Sequence, residues 1–150
     1  MTRRCLPLGP AWKGPLKEVL GALERAGDHR RFQPHPFTDE ALELLARHQG
    51  KDFYCVMVDG NRVLAYGMLR GWDEGYEVPS LGIAVHPGAR KEGLGRAMMQ
   101  YLHDSARERG ATRVRLRVLE DNAPAVALYE QLGYRFGAKE ERYLVGFLEL

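Results

Sequence analysis

The chain has 150 residues, 45% hydrophobic and 28% charged, the size and composition of one globular domain with a single continuous core. Its net charge of +2 gives no support to nucleic-acid binding, and no apolar run approaches the roughly 20 residues that a membrane span needs. Cys5 and Cys55 have neither the density of a disulfide scaffold nor metal-type spacing, so both are expected reduced, with no metal and a cytoplasmic location.

In chain order, residues 3–8 are expected to form a short first strand. Leu16, Val19, Leu20 and Leu23 recur at helical spacing, and Gly27-Asp28 ends that helix. Pro34 and Pro36 make residues 30–37 a loop, because each restrains the residue before it. Thr38 can cap a second helix with Asp39 and Glu40 in its first turn, burying Ala41, Leu42, Leu44 and Leu45. Residues 53–58 are apolar on both faces, as in a buried strand, and Asp59-Gly60 turns into a further strand at 62–69. A polar loop over 71–75 precedes a central strand at 78–85. Leu94, Ala97, Met98, Tyr101, Leu102 and Ser105 trace one helical face, closed by Gly110. Val114, Leu116 and Val118 alternate with Arg113, Arg115 and Arg117 in a half-buried strand. Asn122 opens a short helix ending at Gly133, and strands near 134–138 and 142–149 complete the chain. Neither a repeat nor a linker interrupts this order, so one α/β (α+β) three-layer domain is expected.

The segment from Val85 to Arg96 joins a strand to the N-terminus of the strongest helix. Unpaired amides and the helix dipole make such a terminus an anion site, and Gly93 and Gly95 let a phosphate approach the backbone. Arg90, Lys91 and Arg96 add cations. Glycines before a helix can equally serve a tight turn. Two alternatives fail by spelling. Leu94-Gly95 stands where a Walker A loop requires Lys-Ser or Lys-Thr, and Met98 occupies the third glycine position of a dinucleotide fingerprint.

Arg90-Lys91-Glu92-Gly93-Leu94-Gly95 resembles the [Arg/Gln]-x-x-Gly-x-[Gly/Ala] signature of the GNAT N-acetyltransferase superfamily. The stretch from Asn122 to Tyr134 is similar to the family's second pattern, Asn-x-x-Ala-x-x-Leu-Tyr-x-x-x-Gly-[Tyr/Phe]. The resemblance implies a central mixed, twisted sheet of about six or seven strands flanked by about four helices. It also implies acetyl-coenzyme A as co-substrate, with its pyrophosphate on Arg90, Lys91, Glu92, Gly93, Leu94, Gly95 and Arg96. The pantetheine arm would pair with backbone at Ala84 and Val85, on a strand that splays from its neighbour. Asn122 falls on the asparagine that contacts the cofactor arm, although it is also a natural helix cap. Tyr129 falls on the tyrosine that acts as general acid, although a packing aromatic would look the same.

For the general base, one family position is taken by Arg117. Glu77 shares strand parity with Leu81, Ile83 and Val85, so it could face the same cleft, or stand solvated at a strand end. His86, before Pro87, reads as structural. The aromatic and acidic loop carrying Trp72, Asp73, Glu74 and Tyr76 is the expected place of acceptor recognition. Arg113, Arg115 and Arg117 fit either an anionic group on the acceptor or a salt-bridged sheet face. The implied function is direct transfer of an acetyl group to an amine, and the alternative is a non-catalytic acyl-coenzyme A-binding module of the same fold. The acceptor is unspecified, and monomer and homodimer both remain open.

Overall fold

The computed structural model describes all residues except Met1, Thr2, His29, Arg30, Arg31, Gln33 and Lys91. Of the expected loop at 30–37, Arg30, Arg31 and Gln33 therefore lie outside the described residues, as does Lys91 of the glycine loop.

The described residues form seven strands and four α-helices. The strands are β1 (Arg3–Pro7), β2 (Phe53–Asp59), β3 (Arg62–Arg70), β4 (Ser80–Val85), β5 (Arg113–Leu119), β6 (Arg135–Glu140) and β7 (Tyr143–Glu149). The helices are α1 (Lys13–Arg25), α2 (Asp39–Ala46), α3 (Leu94–Glu108) and α4 (Ala123–Gln131). The sheet runs β1-β2-β3-β4-β5-β7-β6 and is antiparallel except where β4 meets β5. This is the expected three-layer domain with a mixed sheet.

Strand alternation divides the apolar residues between two cores. Phe53, Cys55 and Met57 of β2, with Val114, Leu116 and Val118 of β5, face Leu94, Met98, Met99 and Leu102 of α3. Tyr54, Val56 and Val58 face the opposite way, against Leu16, Val19, Leu20 and Leu23 of α1 and Leu42 of α2. Gly67 lets α3 settle on β3, since a Cβ there would come within 2.9 Å of Leu102 and 3.0 Å of Met98. Thr38 caps α2 as expected, its hydroxyl accepting from the Ala41 amide at 3.2 Å.

Two burial expectations fail. Leu44 is 74% exposed, because at 100° per residue it points away from the face of Leu42 and Ala46. Ala97 is also exposed, the buried stripe of α3 widening instead toward Met99, His103 and Ala106.

His103 is a buried titratable group on α3, with Nε2 at 2.8 Å from the Tyr134 hydroxyl. Burial, assisted by nearby Arg107, pushes its pKa down to about 4. The folded value lies below the ordinary imidazole value of about 6.5, so its stabilising effect is complete above pH 6.5 and is lost as pH falls toward 4. Stability should drop by about 1–2 kcal/mol from this group between pH 7.5 and 5. Urea unfolding at both pH values tests it. His103→Phe should flatten that pH slope, and an unchanged slope would mean that His103 does not carry it.

Candidate active site

The site begins where β4 and β5 part. The strands pair at Ser80 and Arg115, with the Arg115 amide donating to the Pro79 carbonyl at 2.9 Å, and share no further register pairs among the described residues. Beyond this apex each strand keeps its other partner, β4 along β3 and β5 along β7. A wedge therefore opens inside the sheet.

The hydrogen-bond alternation of β4 determines which groups face the wedge. The His86 amide donates to the Leu64 carbonyl at 2.8 Å, so Ser80, Gly82 and Ala84 turn their main-chain groups toward β3. Ile83 and Val85 turn theirs into the wedge, where no strand of the described residues meets them. Backbone groups left open this way need a partner. Of the two expected backbone contacts, Val85 is thus placed to serve, whereas the main chain of Ala84 is occupied by Tyr66 and its side chain is buried among the α1 and α2 residues. Ile83, which parity alone could have indicated, takes that place.

The wide end of the wedge leads to the α3 N-terminus. Gly93 is the N-cap with φ +76°, and no side chain caps the helix. The first helical bond runs from the Ala97 amide to the Gly93 carbonyl, leaving the amides of Leu94, Gly95 and Arg96 without helical acceptors. A Cβ at Gly93 would meet no atom of the described residues beyond its chain neighbours within 4 Å, so its flank is open among them. One at Gly95 would lie 3.7 Å from Leu128 and 4.0 Å from Ile83 and Val85, which puts Gly95 where the wedge meets α3 and α4.

Charged side chains surround this terminus. Arg90 is ion-paired with Asp28 at 2.7 Å, Glu92 with Arg3, and Arg96 donates to Gln131 at 2.8 Å. Exposed pairs of this kind contribute about 0–1 kcal/mol, so Arg90 can exchange its partner for another anion at little cost. His86 clasps the turn before the loop. Its Nδ1 accepts from the Gly88 amide at 2.9 Å and its Nε2 faces Glu18 at 3.1 Å, which gives it a structural place.

Asn122 precedes α4, but its side chain makes no capping bond, so the carboxamide is available to a ligand. Tyr129, on α4, packs against the α3-side core with its ring 5.8 Å from that of Tyr134. Burial pushes its pKa up to about 12, so the phenol keeps its proton at neutral pH. Its hydroxyl makes no hydrogen bond to another described residue.

On the face opposite α3, a cavity of about 1010 Å³ reaches the apex of the wedge. That is the upper end of the volume of small-molecule sites. Ser80, Leu81 and Gly82 line it from β4, and Arg115 and Arg117 from β5. Glu74, Tyr76 and Glu77 line it from the β3–β4 connection, with Phe32, Pro34, Arg70 and Tyr143 around the rest. Glu77 reaches the cavity by a route other than strand parity. Pro79 lacks an amide for the ladder, β4 starts only at Ser80, and Glu77 stands on the connecting loop.

Trp72 and Asp73 are placed elsewhere. Trp72 packs on the α3-side core. The Asp73 carboxylate accepts from the Lys51 and Asp52 amides at 2.7 and 3.2 Å and lies 3.1 Å from His48 Nε2. The Lys51 amide is the main cause that holds its carboxyl below the ordinary value. In return, the Asp52 carboxylate accepts from the amides of Gly71 and Asp73, so the two aspartates brace the loop that presents Glu74 and Tyr76. Cys55 is buried against Met98 and Gly67, and burial pushes its thiol pKa up. No helix among the described residues is long and apolar enough to cross a membrane.

Known proteins share this construction. The GNAT domain of S. lividans PAT superposes with a TM-score of 0.86 at 16% identity, covering 100% of this chain and 92% of that one. The paia N-acetyltransferase of Thermoplasma acidophilum, in complex with coenzyme A, gives a TM-score of 0.80 at 12% identity, with all of both chains covered. At those identities the likeness concerns the fold. In sequence, the chain is 39% identical over 67 residues to the [ribosomal protein bS18]-alanine N-acetyltransferase of Escherichia coli K12, a match spanning 45% of each protein. The chain thus spans about half the length of the curated relative that it matches. The profile of the acetyltransferase (GNAT) family matches residues 22–134, which include the wedge, the glycine loop and Tyr129. The chain belongs to the GNAT acetyltransferase family.

Proposed function

We propose that the protein transfers the acetyl group of acetyl-coenzyme A to an amine held in the cavity at the apex of the wedge, by direct attack in a ternary complex. The observation that carries this reading is continuity. A helix terminus with unpaired amides, a run of open backbone groups and a cavity large enough for an acceptor follow one another along β4.

The residues divide the work by position. The amides of Leu94, Gly95 and Arg96, with Arg90, suit the pyrophosphate. Ile83 and Val85 can pair with the amides of the pantetheine arm as a neighbouring strand would, and the Asn122 carboxamide can hold the same arm. In this reading the thioester lies toward Ser80 and Leu81, beside the cavity that they line. Glu77, directly or through a water, takes a proton from the acceptor ammonium. The neutral nitrogen then attacks the thioester carbonyl carbon, the carbon–sulfur bond breaks with its electron pair on sulfur, and the nitrogen loses a second proton. The sulfur takes up one proton, so the net products are the amide, free coenzyme A thiol and one released proton. The Tyr129 phenol is a weaker acid than the coenzyme A thiol (about 8.5). Its role is therefore a hydrogen bond that stabilises the departing thiolate, which takes its proton from solvent. A covalent acetyl-cysteine route finds no support in Cys55, since a buried thiol with a raised pKa is a poor nucleophile.

Thermal shifts with acetyl-coenzyme A, ATP and NAD, followed by free-thiol release with a panel of amines, test the reading. Stabilisation by acetyl-coenzyme A with amine-dependent release supports it, and stabilisation without release would favour the non-catalytic acyl-coenzyme A module. For the base, Glu77→Gln should lower kcat/KM about 100-fold or more near pH 7 and regain part of the loss near pH 9, where free amine is abundant. A pH–rate profile parallel to wild type would remove Glu77 as base.

A further inference from the structure

The cavity at the apex has charge of both signs, sorted by wall. Glu74 and Glu77 line the side of the β3–β4 connection, and neither makes an ion pair among the described residues. Arg115 and Arg117 line it from β5, and no ion pair joins them to Glu74 or Glu77 among the described residues. These two guanidiniums share one carboxylate, Glu140, at 3.3 and 3.7 Å, so the wall keeps a surplus positive charge. Both are held in place by other contacts as well. Arg117 lies 4.2 Å over the Tyr143 ring, and Arg115 donates to the Ser80 hydroxyl at 3.4 Å. Arg70, a third cation on the lining, donates to the Pro34 carbonyl and makes no ion pair among the described residues.

A site for a plain amine needs only the carboxylates. A diamine or a lysine-rich peptide would bring a second cation toward the arginines, and like charges at close range repel. A ligand with both signs satisfies both walls. Met68, Leu81 and Gly82 add small and apolar groups to the lining. A Cβ on Gly82 would lie 3.3 Å from Met68 and 3.8 Å from Phe32, so glycine there lets those side chains close over β4 beside the apex.

We propose that the acceptor is a small amphoteric amine, its ammonium facing Glu77 and Glu74 and its carboxylate or phosphate bound by Arg115 and Arg117. This rests on the transfer reading above, and the experiment separates the two. Acetylation is measured by thiol release for matched acceptors: propylamine, β-alanine and 1,3-diaminopropane, then ethanolamine and O-phosphoethanolamine. The anionic member of at least one set should have a kcat/KM at least about 10-fold above its uncharged partner, with the diamine poorest. The two sets distinguish carboxylate from phosphate. Arg117→Glu should invert the order in favour of the diamine. In parallel, saturation-transfer NMR measures binding of β-alanine and O-phosphoethanolamine to the coenzyme A complex of wild type and Arg117→Glu. Turnover indifferent to the anion, or favouring the diamine in wild type, overturns the amphoteric acceptor and leaves transfer standing. Binding of the anionic amines that is lost in Arg117→Glu, without turnover of any amine, supports the dipolar cavity and overturns transfer. Neither binding nor turnover overturns both.

Discussion

Gly93→Val should lower the affinity for acetyl-coenzyme A by about 100-fold or more, with circular dichroism unchanged. Gly93 sits at φ +76°, where an L residue costs roughly 1–2 kcal/mol and a β-branched one more. Relieving that strain turns the loop and swings the amides of Leu94, Gly95 and Arg96 off their common target. Hydrogen bonds to a charged group contribute about 1.5–3 kcal/mol each, so losing two accounts for the expected drop. The valine also fills space that is open beside Gly93. Gly93→Ala, with one methyl and no branch, should fall between wild type and Gly93→Val. Calorimetric titration of the three proteins decides it. Affinity within about threefold of wild type for Gly93→Val would remove the α3 terminus as the pyrophosphate site.

Tyr129→Phe should reduce kcat by about 10- to 100-fold and leave KM for acetyl-coenzyme A within a few-fold. The hydroxyl has no hydrogen-bond partner among the described residues, so its removal should cost little stability, and the ring keeps its packing against Tyr134. What disappears is a hydrogen bond that strengthens as negative charge builds on sulfur, an interaction specific to the transition state. With the phenol pKa near 12, wild-type kcat should show no loss from Tyr129 ionisation below about pH 11. Single-turnover rates isolate chemistry from product release. An unchanged single-turnover rate would make Tyr129 a packing residue.

Much of this was legible in the sequence because it is local. The alternation in β5, the glycines at both ends of α3, and Thr38 at the start of α2 act within a few residues, and each element forms where its pattern predicts. The glycine loop and the Asn122–Tyr134 segment were recognisable for the same reason, since their spacing is their chemistry. The misreadings arise where a second element decides. Ile83 replaces Ala84 as a wedge-facing residue because pairing with β3 fixes which amides are spent. Asp73 looked like part of an acidic approach, yet it is satisfied by amides some twenty residues away at Lys51 and Asp52. Trp72 reads as part of the acceptor-recognising loop until α3 is placed beside it. Arg115 and Tyr143 join one cavity wall only through sheet pairing, which no local pattern specifies. Glu77 lines the cavity, but Pro79, by delaying the start of β4, brings it there by a different geometry from the one that parity suggested.

The central claim is that the acyl donor lies in the wedge between β4 and β5 with its pyrophosphate on α3. Residue-resolved amide hydrogen exchange by NMR, with and without acetyl-coenzyme A, tests it most directly. The account predicts strong slowing at Ile83 and Val85 and at Leu94, Gly95 and Arg96, with much less change at Ala84, whose amide is already bonded to β3. Binding that leaves Ile83, Val85 and the α3 terminus exchanging at their free-protein rates would contradict it.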